Sequence, residues 1–95
     1  MARITRAKLA RKDLRNIWLN VAQDSVAAAD RLVDRIDSVV RMLSQNPHLG
    51  ERQDDLRQNL RRFVVGSYLV FYEPIRGGIR VVRILHGARR WEDEF

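Results

Sequence analysis

The chain has no cysteine, two histidines, two prolines and no apolar run near the ~20 residues that cross a bilayer. Without cysteine there are no disulfides, no thiolate chemistry and no Cys-built zinc sites, so a reducing cytoplasm is the expected compartment. His48 and His86 stand far apart in sequence, and neither a metal site nor a cofactor is expected. The N-terminus lacks the apolar stretch of a secretory leader, and no membrane association is anticipated. Acids are also scarce: 12 against 18 lysines and arginines, for a net charge of +6. Three of those acids are Glu92, Asp93 and Glu94, so residues 1–91 carry 18 basic against 9 acidic side chains, a balance of +9. Such a field favours an anionic partner and speeds encounter with it.

What is present reads as a single α+β domain over residues 1–95. Ala2 to Thr5 suit a short N-terminal edge strand anchored by Ile4. Thr5 then reads as the N-cap of a helix running to about Ala22, with Ala10, Leu14, Ile17, Trp18 and Val21 on one stripe. Asp24-Ser25 opens a second helix, which Ala29, Leu32, Val33, Ile36, Val40 and Leu43 make amphipathic. It ends near Gln45, because the residue before Pro47 avoids the α region. His48 to Asn59 is polar and reads as a loop, with a helical turn around Asp54 to Gln58.

From Leu60 onward the pattern changes. Three runs rich in Val, Ile, Phe and Tyr are separated by turn signals at Gly66-Ser67 and Pro74 to Gly78, which predicts an antiparallel three-strand meander. Alternation puts Leu69 and Phe71 on one face, with Tyr68, Val70 and Tyr72 on the other. In the last strand it groups Ile79, Val81, Arg83 and Leu85 against Arg80, Val82, Ile84 and His86. Neither set is purely polar, so the face away from the helices is expected to keep apolar surface for a partner. The architecture is thus an antiparallel helical hairpin packed on a small antiparallel sheet.

The order and spacing of four pieces are specific: Ala10-x-x-Asp13-Leu14-x-x-Ile17, Asn46-Pro47-x-x-Gly50, Arg62 with Gly66-x-Tyr68-x-x-Phe71-Tyr72, and Arg83 to Arg89. Over almost its whole length the chain resembles toxins of the ParE branch of the ParE/RelE superfamily, the toxin halves of bacterial type II toxin–antitoxin modules. The resemblance implies a matching fold and poisoning of DNA gyrase by trapping its cleavage complex. It also implies a hetero-oligomer with a ParD-like, ribbon-helix-helix antitoxin, whose acidic C-terminal segment lies across the toxin. An apolar groove between hairpin and sheet on this +6 surface suits that guest, with helix-in-groove anchoring for affinity and charge for on-rate, and no residue is assigned to the antitoxin. After His86-Gly87-Ala88-Arg89, Arg90 stands where members of this branch often carry an acid.

A gyrase poison need not be an enzyme; it must bind one state of the cycle more tightly than the others. The expected target surface is Arg83, His86, Arg89, Arg90 and Trp91, read as exposed at the end of the sheet, with Arg61 and Arg62 adding to the field. The alternative is a RelE-like, ribosome-dependent mRNA endoribonuclease, in which Arg62, Arg80, Arg83 and Arg89 steady the phosphate and His86 or Glu51 moves the proton. That branch tends to place a Tyr near the end of the last strand, and here Trp91 offers only a non-titrating N–H. A plain nucleic-acid-binding module, with Tyr68, Tyr72 and Trp91 stacking on bases, is disfavoured by an aromatic content of 7%. Trp18 and Tyr68 read as packing residues, and Asp13 as the partner of a nearby base or of the helix start.

Overall fold

The computed structural model describes residues 2–95. Strand β1 (Arg3–Arg6) leads into α1 (Lys8–Ala22) and α2 (Val26–Gln45), followed by strands β2 (Glu51–Arg52), β3 (Arg61–Val65), β4 (Tyr68–Ile75) and β5 (Gly78–His86). A 3-10 turn, Trp91–Glu94, closes the chain. The sheet order is β1-β5-β4-β3-β2, with β1 parallel to β5 and every other pair antiparallel. No helix among the described residues is long and apolar enough to cross a membrane.

The hairpin and meander stand where the periodicity puts them, and α2 ends at Gln45. Three details differ. Thr5 does not cap α1, because it lies inside β1, paired with Arg80. Sheet pairing holds the chain extended through Arg6, and Ala7 turns it into the helix while donating its N–H to the Val81 carbonyl at 2.8 Å. Gly78 permits that pairing: a Cβ there would stand 1.8 Å from the Arg3 carbonyl oxygen. The loop after α2 also contributes a fifth strand, β2, whose two residues carry no β-branched or aromatic signal. Beyond β2 the expected helical turn is present as a single one, the Leu56 and Arg57 N–H groups both donating to the Gln53 carbonyl at 3.1 and 3.2 Å.

The third difference concerns the faces of β5. Phe71 pairs with Arg83 but Tyr72 pairs with Val81, so Val82 is an extra residue in the ladder. A bulge of this kind resets the alternation beyond it. Ile79, Val81 and Ile84 therefore share the helix-facing core with Val70, Tyr72, Ile17, Ile36, Val40 and Leu43. Val82 and Leu85 join Leu60, Leu69 and Phe71 in a second core on the opposite face. The split of β4 into Leu69/Phe71 and Val70/Tyr72 is as expected from its alternation.

That second core is covered by the chain itself. Trp91 and Phe95 from the tail, together with Leu56, pack against it. The apolar face read from the sequence as available to a partner is thus largely closed by the last five residues. Phe71 is the centre of this contact, with the Trp91 ring 5.6 Å and the Phe95 ring 4.8 Å away.

Candidate functional site

Helix α1 crosses the sheet so that Asp13 lies over β5, just beyond the point where β1 stops pairing with it. The Asp13 carboxylate replaces the missing strand, accepting the Ile84 N–H at 3.0 Å. It also takes the Arg83 guanidinium side-on, from Nε at 2.7 Å and Nη2 at 3.0 Å. Arg83 Nη1 donates to Glu94 at 3.0 Å, and the second Glu94 oxygen accepts from Arg89 at 3.2 Å. The Asp13 hydrogen bond, above all, raises the Arg83 pKa further above its ordinary value. Asp13 thus serves as the base's partner foreseen for it.

Arg83 is not the exposed contact residue expected from the sequence. Its side chain is 10% exposed and its fork is spent on two carboxylates. Burial of a guanidinium requires such pairing, since an unpartnered buried charge is costly. Arg61 is also engaged within the chain, donating to the carbonyls of His48 and Gly50 at 3.0 and 2.8 Å. Arg62 is half-buried, pairs with Glu51 at 2.7 Å and lies over the Trp91 ring at 5.2 Å, a cation–π contact. Trp91 itself is half-buried against Phe71. Of the seven candidates, His86, Arg89 and Arg90 are the exposed ones, with Arg90 most open at 86% of its side chain.

His86 stands edge-on to Tyr68 at 5.1 Å, and its Nδ1 accepts the Ala88 N–H at 3.1 Å. In the neutral ring the proton then sits on Nε2, which makes the outward nitrogen a donor and not a base. Together with Asn16, Asn20, Tyr68 and Arg89 it lines a cleft of about 200 Å³ between α1 and the end of the sheet. Glu51 is not near it. Its strand lies three strand-spacings from β5, roughly 14 Å. Among the described residues no group of three or more His, Asp or Glu side chains is placed to hold a metal.

A second surface runs along the hairpin itself, between α1 and α2, where the groove expected from the sequence lay between hairpin and sheet. Leu14, Trp18, Leu19 and Val33 form an apolar groove of about 520 Å³ bordered by Arg6, Arg11 and Arg15. Leu19 is 50% exposed. Lys8, Arg11, Lys12 and Arg15 are all exposed, and none forms an ion pair among the described residues. The signal was present in the stripe of α1, whose half-buried members Leu14 and Trp18 border the groove, Leu14 while also packing against the helix-facing core. Trp18 also donates its indole N–H to Asp30 of α2 at 2.8 Å, which fixes the groove wall.

Comparison with known proteins agrees with this geometry. The family described as ParE toxin of type II toxin-antitoxin system, parDE, matches residues 4–91. Toxin ParE3 of Caulobacter vibrioides is 34% identical over 88 residues, covering 92% of this chain and 88% of that protein. Toxin ParE1 of the same organism is 32% identical over 83 residues, covering 84% and 83%. Toxin ParE1 of Mycobacterium tuberculosis is 29% identical over 79 residues, covering 81% of each. The fold is shared with a solved chain of the chromosomal ParDE TA system from P. aeruginosa, with a TM-score of 0.75 over 90% of this chain and 96% of that one, at 19% identity.

Proposed function

Because the chain belongs to the ParE toxin family of type II toxin–antitoxin systems, we propose that it poisons DNA gyrase by stabilising the cleaved intermediate and that a ParD-like antitoxin silences it. The reading is of a binder that acts in the cytoplasm without turnover. It selects one state of gyrase on DNA, and differential affinity for that state is the whole of its mechanism. The exposed His86, Arg89 and Arg90 at the end of the sheet are the proposed contacts, with Trp91 and Arg62 as the stacked support beneath them.

The observation that carries the antitoxin half is the α1 surface: an apolar groove bordered by Arg11 and Arg15, which form no ion pair among the described residues. An amphipathic helix with an acidic polar face fits such a groove through apolar anchors, while the charge raises its on-rate. A ribbon-helix-helix antitoxin with an acidic C-terminal segment is the partner of that chemistry. The ribonuclease alternative is weakened by the Ala88 N–H on His86 Nδ1 and by the engagement of Glu51 with Arg62.

The test is a supercoiling assay with gyrase, plasmid DNA, ATP and purified protein, stopped with detergent and protease. Linear DNA is expected to accumulate with toxin dose and to disappear when the antitoxin is added first. Undisturbed supercoiling without linear product would overturn the gyrase reading and turn attention to translating ribosomes.

A further inference from the structure

The seven basic and aromatic candidates do not act alike, and the difference lies in Glu94. Arg83 reaches it from β5 and Arg89 from the turn after the strand, one on each carboxylate oxygen. The chain between Arg89 and Glu94 contains Arg90 and Trp91, and it is closed further by the Trp91 N–H on the Arg89 carbonyl at 2.8 Å. A four-residue 3-10 turn has little stability of its own. Trp91 and Phe95 hold it down by apolar contact, but such contact is non-directional. Forked, charge-assisted hydrogen bonds are directional. They therefore determine which way the turn points Arg89 and Arg90.

We propose that Arg83 is a positioning residue: clamped by Asp13, it fixes Glu94, and Glu94 sets the tail conformation in which Arg89, Arg90 and Trp91 meet the target. The part of this inference that concerns the target rests on the gyrase reading above. Arg83 cannot itself contact gyrase without leaving Asp13 as an unpaired carboxylate whose side chain is 11% exposed. Asp13 thus belongs to the working surface through a chain of two ion pairs.

The experiment uses the full chain in a Trp18→Phe background, which leaves Trp91 as the one indole of the two in the sequence. Glu94→Ala removes both ion pairs that Glu94 makes while leaving the helix-facing core and Asp13–Arg83 intact. Acrylamide quenching of Trp91 is expected to rise and its emission to shift to the red. Linear DNA yield is expected to fall about tenfold, the factor for one lost charge-assisted hydrogen bond, with the far-UV spectrum unchanged. Glu94→Gln, which keeps an acceptor for Arg83, is expected to recover part of both signals. Trp91 quenching that stays at the parent's level in Glu94→Ala would overturn the proposal, since the tail would then be held without the ion pairs. A mobile Trp91 with undiminished linear DNA would overturn it equally, because placement would not matter to the target. If the parent protein itself yields no linear DNA, the gyrase reading falls, and the quenching result alone decides whether the ion pairs position the tail.

Discussion

Tyr72 shows how one side chain ties the polar loop after α2 to the sheet. Its ring is fully buried in the helix-facing core, while its hydroxyl accepts the Gly50 N–H at 2.8 Å and donates to the Pro47 carbonyl at 2.9 Å. Gly50 has no side chain for the same reason: a Cβ there would lie 2.5 Å from that hydroxyl. Tyr72→Phe leaves the buried Gly50 N–H without its acceptor and is expected to cost about 1–3 kcal/mol in urea unfolding. Burial also raises the Tyr72 pKa above its ordinary 10.0. Below that value the hydroxyl is protonated in folded and unfolded chains alike, and its contribution is complete. Above it the unfolded tyrosine ionises first, so this contribution is lost as pH climbs toward the folded pKa. Urea midpoints at about pH 9 and about pH 11 are therefore expected to fall further for the wild type than for Tyr72→Phe. Equal falls would mean that Tyr72 ionises as readily folded as unfolded.

Among the elements, the two helices are built differently at their starts. Helix α2 has a side-chain cap, with Ser25 Oγ accepting the Ala28 N–H at 3.1 Å. Helix α1 has none and is aligned by the strand before it, through Ala7 and the Val81 carbonyl. Ser25→Ala is thus expected to cost about 1 kcal/mol and to lower the melting temperature by about 4–8 °C for a domain of this size. Circular dichroism melts would check it, and an unchanged midpoint would mean that packing alone fixes the start of α2. Strand β5 has the opposite character, because its regularity is deliberately broken. With Val82 as the extra residue, one strand supplies apolar side chains to both cores and still brings Arg83 to Asp13.

On the scale of the whole molecule, the charge is unevenly spent. Much of the arginine at the tail and on β3 is neutralised within the chain, by Asp13, Glu94, Asp93 and Glu51. Lys8, Arg11, Lys12 and Arg15 of α1, by contrast, form no ion pair among the described residues, and Arg11 and Arg15 border the apolar groove. The tail thus offers a shaped surface with modest net charge, and the hairpin offers a strong field to an acidic guest. Reversing two of those charges, Arg11→Glu with Arg15→Glu, takes the net charge from +6 to +2. Association with the proposed acidic antitoxin is then expected to slow about tenfold at low salt, with the difference shrinking as salt is raised. Stopped-flow binding at two ionic strengths would measure it, and an on-rate indifferent to the reversal would remove α1 from the docking surface.

Alone, the sequence determined the elements with local signatures: both helical stripes, the Asn46-Pro47 stop, the meander and the ordered motifs that carry the family. Each is written in residues a few positions apart, where periodicity, turn chemistry and capping act. It also placed His86, Arg89 and Arg90 at the end of the last strand, where the structure leaves them exposed, since charge and strand-end position are both visible in one dimension. The tertiary structure alone decided which arginines face outward. Arg83 and Asp13 are 70 positions apart, and nothing near either one announces the other. The same holds for the parallel pairing of β1 with β5 and for the tail laid over Phe71. The bulge at Val82 has a related cause: an unpaired residue shows only against its partner strand, and reading β5 by itself assigns Ile84 to the wrong core. Contacts between distant segments are chosen by the packing of the whole chain, and that choice turned Arg83, expected to be exposed, into a buried partner of Asp13 and Glu94.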